Sequence, residues 1–308
     1  MEETNNNNIS RNILINIKSK YILKEIFDNI KQIQSFKIVK YNKPLQKKLD
    51  MGTDDYKNFK KIEIELIPIK MHNFNYFINI KNEYDPYYHI YFNGNKNEIL
   101  KNYFTKDDDI NKIKIILDEE ISSFENLFKF CDNIEKIRFI KFNRKDITNM
   151  SNMFFKCSSL KEIKFNNFYT NNVYDMSNMF YECTSLKELN LNNFNTNNVT
   201  TMNGMFYGCS SLKELNISTF NTSNVRDMNF MFSGCSSLRE LNLNHFYINN
   251  VFYMDYMFSG CSLLSELKID SFNMNNKINV THMFYGCTFD LKKKIILQDK
   301  KINKKAFS

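Results

Sequence analysis

Glycine and proline are scarce in this chain, at 7 and 3 of 308 residues. So few glycines argue against a Gly-rich phosphate loop, and so few prolines against long Pro-rich linkers. Only four histidines are present, His72, His89, His245 and His282. They form no His-Glu-x-x-His pair and no Cys–His arrangement that the sequence makes visible, and no Gly-x-Ser-x-Gly or Walker pattern occurs. Asp107-Asp108-Asp109 lacks the spaced ligands and glycine of a calcium loop and reads as an acidic turn. An enzyme is therefore not expected, nor a cofactor, a metal or a small-molecule substrate. No run of about 18 apolar residues exists, so no membrane span is expected. The opening Met1-Glu2-Glu3-Thr4 is acidic and then polar. That predicts no secretory leader and a cytoplasmic location, where thiols stay reduced.

What is present is apolar material in quantity. Hydrophobic residues make up 43% and aromatics 15%, enough for a substantial core. The net charge is +8, and part of the excess lies at the end: residues 288–308 hold seven lysines against Asp290 and Asp299. We read that tail as a solubilising cap rather than a nucleic-acid arm.

All seven cysteines fall on one series with a step of 26: Cys131, Cys157, Cys183, Cys209, Cys235, Cys261 and Cys287. Other positions keep the same step. The third residue after each Cys is apolar (Leu160, Leu186, Leu212), as are the sixth (Ile163, Leu189, Leu215) and the eighth (Phe165, Leu191, Ile217). The eleventh is Phe in six successive units, from Phe142 to Phe272. Val173, Val199, Val225 and Val251 open a Met-x-x-Met-Phe-x-x-Cys ending, as at Met176, Met179, Phe180 and Cys183. The sixth and eighth positions alternate as a strand does; the Val-to-Cys run has the three- and four-residue spacing of one or two helical turns. Asn-Thr-x-Asn between them supplies turn chemistry. The expected class is an α/β repeat, a leucine-rich-repeat solenoid of 26-residue units with a parallel sheet and short helices. Such units bury their apolar sides only by stacking. The thiols would then form a buried column near one strand spacing apart, acting as small apolar groups.

The stretch Met205 to Thr222, with its Met-Phe-x-x-Cys-x-Ser-Leu-Lys-Glu-Leu-x-Ile-x-x-Phe-Asn-Thr pattern, resembles the BspA-type leucine-rich repeat. It is similar to the variant shared by mycoplasma surface lipoproteins and many protist proteins. The resemblance covers about residues 119 to 290. It implies a repeat fold and a role in adhesion or protein binding.

The flanks divide the chain further. Residues 1–16 are read as disordered, 17–50 as a helical hairpin and 59–118 as a β-rich module that continues into the repeats at 119–290. Residues 291–308 are read as a basic cap, in which Leu291, Ile295, Ile296 and Leu297 form either a final strand or, the favoured reading, an amphipathic capping helix. Lys20-Tyr21-Ile22-Leu23-Lys24-Glu25-Ile26-Phe27, followed by Lys37-Ile38-Val39-Lys40-Tyr41, is loosely similar to an F-box, which implies a ubiquitin-ligase adaptor. In the module, Lys61–Ile67 alternates cleanly, and Phe92-Asn93-Gly94-Asn95 signals a hairpin.

The outward strand positions carry the candidate site. The fourth residue after Cys is Lys161, Lys187, Lys213 and then Arg239; the fifth is Glu162, Glu188, Glu214, Glu240 and Glu266. The seventh is Lys164, Asn190, Asn216, Asn242 and Lys268. Stacked, these become basic, acidic and amide columns, either a self-neutralising solvated face or a docking strip. Mixed signs suit a protein partner, whereas a nucleic-acid reader would need a one-signed stripe with stacking aromatics. The expectation is a monomeric, non-enzymatic scaffold that binds a protein on its concave sheet face. A ligase adaptor and a surface adhesin are the alternatives.

Overall fold

The structure, a computed structural model, describes residues 17–19, 22–23, 42–50, 53–69, 74–80, 86–105, 107–269, 272, 278–298 and 302–308. The chain divides into two compact units, Met1–Lys61 and Ile62–Ser308.

In the first unit, helix α1 spans Lys43–Leu49 and α2 spans Thr53–Lys60. Asn42 caps α1 by accepting the Leu45 N–H at 3.1 Å. Pro44 sits in the first turn of α1, where its missing N–H costs no helical bond. Asp50 ends that helix in the left-handed region. Most of the F-box-like string, the 1–16 segment and His72 lie outside the described residues.

The second unit begins with β1, Ile62–Pro68, whose alternation buries Ile62, Ile64 and Leu66. The next strands are β2 (Asn75–Tyr76), β3 (Tyr88–Phe92), β4 (Tyr103–Phe104), β5 (Ile113–Leu117), β6 (Ile134–Lys141) and β7 (Glu162–Phe165). They form an open sheet ordered β3-β5-β1-β6-β7 and a separate β2-β4 pair. The first three contacts of the open sheet are antiparallel; β6 to β7 is parallel, with Ile137 opposite Ile163. The apolar module and the first repeated strands therefore share one sheet. The Asn93-Gly94 turn forms with positive φ at both residues. Beyond the turn its returning chain makes one backbone bond to β3, Ile99 to Ile90, but no strand, because Lys96-Asn97-Glu98 offers no alternating apolar side.

Four three-residue strands follow: β8 (Glu188–Asn190), β9 (Glu214–Asn216), β10 (Glu240–Asn242) and β11 (Glu266–Lys268). The expectation was one continuous parallel sheet. The strands instead pair two by two, β8 with β9 and β10 with β11, each residue opposite the one 26 further on. The uninterrupted ladder lies elsewhere, in parallel bridges that link Ser123, Asn149, Asp175, Thr201, Asp227, Tyr253 and Asn279 in steps of 26.

The short helix expected in each unit is replaced by consecutive turns. Met176, Asn178, Phe180 and Glu182 donate their N–H to Thr201, Asn203, Met205 and Tyr207, at 3.2, 2.8, 2.9 and 2.6 Å. Met179, Tyr181 and Cys183 donate only three residues back, to Met176, Asn178 and Phe180. The cause is a left-handed residue five and one positions before each Cys, as at Asn178 and Glu182 or Gly204 and Gly208. A left-handed residue every four or so positions stops a right-handed helix from propagating. Alternate N–H groups thus turn outward to the neighbouring segment. In the last four units the position before Cys is glycine. A Cβ on Gly234 would stand 3.3 Å from the Gly208 Cα, tighter than an ordinary contact, and glycine takes the positive φ there without a Cβ penalty.

Inside this frame, Phe128, Phe154, Phe180, Phe206, Phe232, Phe258 and Phe284 are fully buried. Their rings stack at 5.4 to 5.7 Å with planes within 12°. Each buried Phe contributes roughly 1.5–3 kcal/mol. Both ends of the turn ladder are closed. Asn79 donates its backbone N–H to Leu127 O and its amide to Asn126 O and Lys129 O. At the other end the backbone carbonyls of Lys305 and Ala306 accept from His282 and Phe284, and Phe307 stacks on Phe284 at 5.3 Å. Helix α3, Phe289–Gln298, buries Leu291 and Ile295. The second unit is sheet-rich with few helices and repeated strands, and its described strands close no barrel.

Candidate functional site

The outward side chains of β7 to β10 line a shallow groove of about 910 Å³ that also takes in Glu135 and Lys136 of β6. Lys161, Glu162, Lys164, Glu188, Asn190, Lys213, Glu214, Asn216 and Glu240 are all on its wall. Lys187, Arg239, Asn242, Glu266 and Lys268 are exposed but do not line it. The strand periodicity is the cause: in β8 Leu189 points inward while Glu188 and Asn190 point out.

The columns are not neutralised evenly. At the start, Lys161 pairs with Glu135 at 3.5 Å, and Glu162 pairs with Lys164 at 3.0 Å and Lys136 at 3.8 Å. The hydrogen bond from Lys164 holds the Glu162 carboxyl below the usual carboxylate range. At the end, Lys294 of α3 pairs with Glu266 at 2.7 Å; this bond, aided by Lys268 nearby, lowers the Glu266 pKa. Between them, Glu188 stands directly opposite Glu214. Among the described residues no ion pair engages Glu188, Glu214, Glu240, Lys187, Lys213 or Arg239, in contrast to the two ends.

The amide column has a different job. Asn190, Asn216 and Asn242 accept the backbone N–H two residues on, from Asn192, Ser218 and Asn244. These are Asx turns that stop each strand. An asparagine here cannot supply the positive charge that Lys164 and Lys268 bring to the end rungs.

The cysteine column is wholly interior. All seven thiols are free and buried. From Cys157 to Cys287 each Sγ donates to a Phe carbonyl in the preceding unit, Phe128 to Phe258, at 3.0–3.1 Å. Burial pushes the thiol pKa up along the column, to about 12 at Cys209 and about 11 at Cys287. Among the described residues no cluster of His, Cys, Asp or Glu could hold a metal ion. His245 Nε2 lies 2.9 Å from Ile217 O, His282 meets the Ser308 carbonyl, and His89 lies between Glu98 (3.0 Å) and Asp118 (3.3 Å). Burial opposes ionisation of Asp108 in the acidic turn, but Lys101 and Thr105 outweigh it and its pKa is lowered.

An aromatic spine that no single repeat position announces lies on the turn-bearing edge. Phe155, Tyr181 and Tyr207 stack at 4.6 and 4.3 Å, two residues before their Cys. The spine then shifts to the position five before Cys, where Phe230 and Tyr256 stack at 4.9 Å despite left-handed backbones. The switch hid it, since neither position alone is aromatic throughout. Its ring faces cover one another, which leaves chiefly edges for a ligand.

Among the described residues no helix is long and apolar enough to cross a membrane. Fold and face together define a sheet-rich repeat protein that presents a charged groove. A family model described as "Mycoplasma protein of unknown function, DUF285" matches residues 122–214 and 187–295, more than half of the chain, and the chain belongs to that family. Neither the curated proteins nor the solved structures yield a match.

Proposed function

We propose that this chain is a leucine-rich-repeat-type solenoid of 26-residue units, related to the BspA-type repeat, that works as a non-enzymatic scaffold for binding another protein. The carrying observation is the groove whose charges Glu188, Lys213, Glu214 and Glu240, together with the exposed Lys187 and Arg239 beside it, have no ion-pair partner among the described residues while the flanking rungs do. Unpaired opposite charges in adjacent columns gain most from a partner that supplies both signs, and they steer its approach. Nucleic acid is disfavoured because the carboxylate column would face phosphate.

Replacing Glu188, Glu214 and Glu240 together by Lys tests the reading. Affinity purification followed by identification of co-purifying proteins should lose a partner that the unaltered chain retains, with circular dichroism unchanged. Equal recovery of that partner would remove the face as the site. Membership of a mycoplasma family favours a second reading, the same face displayed outside the cell as an adhesin. Protease treatment of intact cells separates the two, since only an external chain is cut.

A further inference from the structure

We propose that the central rungs of this face seat an α-helix of the partner protein, lying across the strands along the stacking direction. Such a helix would carry Lys or Arg at i, i+4 and i+7 over Glu188, Glu214 and Glu240, and a neighbouring stripe of Asp or Glu over Lys187, Lys213 and Arg239. This inference rests on the face being a docking surface.

Two observations carry it. The first is the contrast along the acidic column. At both ends the seventh position is Lys164 or Lys268, close enough to lower the pKa of its glutamate; at the three central rungs it is Asn190, Asn216 or Asn242, tied into a turn. The chain neutralises its own carboxylates at the ends and leaves the middle open. The second is pitch. Within the paired strands β8–β9 and β10–β11, residues one rung apart stand opposite each other about 4.8 Å apart, and between β9 and β10 the parallel Thr201–Asp227 bridge on the other edge keeps the same 26-residue step. Same-face residues of an α-helix at alternating steps of three and four recur about every 5.2 Å. Across two rungs the mismatch is under about 1 Å, which flexible Lys and Arg side chains absorb. An extended segment repeats a face about every 6.7 Å and drifts by nearly a full rung over the same span. A polyproline helix repeats about every 9.3 Å and meets only alternate rungs. The groove walls run from Glu135 to Glu240, five rungs or about 19 Å, the length of about 13 helical residues.

The test uses the full chain and defined peptides. One 14-residue Lys/Glu peptide is locked helical by a side-chain cross-link with its lysines at i, i+4, i+7 and i+11. A second has the same composition with alternating lysines, and a third has a proline at its centre. Binding is read by fluorescence anisotropy at low salt. We expect the helical peptide to bind at least about tenfold tighter than either of the others. That advantage should vanish in E188Q/E214Q/E240Q and persist in E125Q, on the turn-bearing edge. Equal binding of all three peptides, still lost in the triple variant, would overturn the helix and leave the docking face standing. Binding that ignores the triple variant would overturn both.

Discussion

The two long edges of the repeated region are built from the same 26-residue spacing and yet are held in opposite ways. On the turn-bearing edge every junction from Ser123 to Asn279 is bridged, and alternate N–H groups bond across each one. Behind it lie the Met, Phe and Cys columns, all buried. On the strand edge the elements are three residues long, pair only two by two, and carry charges side by side with their own kind. Cohesion thus resides in the turns and their interior, while the strand face contributes little to holding the units together. It is free to carry groups that a stability-bearing surface would not tolerate.

That contrast can be broken most sharply with alkali. The thiols have folded-state pKa values raised by burial, to about 12 at Cys209, against an ordinary value near 9. Above that ordinary value the unfolded chain releases protons that the folded chain keeps, so stability is intact below about pH 9 and falls as pH climbs toward the folded values. Each thiol contributes roughly 1.4 kcal/mol per pH unit in that window. The urea midpoint should therefore drop steeply between pH 9 and 11, beyond what a variant lacking several of the cysteines shows. A flat profile would mean that the column is not sealed.

Phe206→Ala, in the middle of the ring stack, should cost about 3–5 kcal/mol in denaturant unfolding. A loss under about 1 kcal/mol would place the cohesion elsewhere. Thr196 is a finer probe. Its buried hydroxyl donates to Asn221 O and accepts from Asn221 N, each at 2.8 Å. Thr196→Val leaves both groups unmet and should cost about 1–3 kcal/mol. At the small end, E188Q/E214Q/E240Q should shift stability by no more than about 0.5 kcal/mol, or raise it slightly by relieving repulsion. A larger loss would show that the strand face does hold the array.

Much of this was legible beforehand, because burial leaves a period behind. The Cys, Leu, Phe and Met columns had to be interior, since no other arrangement hides residues repeated every 26. The outward alternation of Glu188 and Asn190 about Leu189 followed from strand geometry alone. The backbone was harder. Val-x-x-Met-x-x-Met has helical spacing, but the same spacing suits turns that bond outward, and Glu182 or Phe230 in a left-handed conformation carries no compositional mark. Glycine at 208, 234, 260 and 286 was the available hint. Nor could spacing reveal that Asn190 spends its oxygen on a turn while Lys164 meets a carboxylate; that difference decides which rungs stay open.

The closures at Asn79 and at Lys304–Ala306 bear on how such a chain changes over generations. Each end satisfies the groups of one adjoining segment and is indifferent to how many segments stand between. Excision or duplication of a whole 26-residue block inside the run brings chemically equivalent neighbours back together, whereas a gain or loss of 25 or 27 puts every downstream side chain out of phase. Length is thus a heritable variable in this architecture, and the extent of the charged face can be retuned by recombination without inventing a new interior.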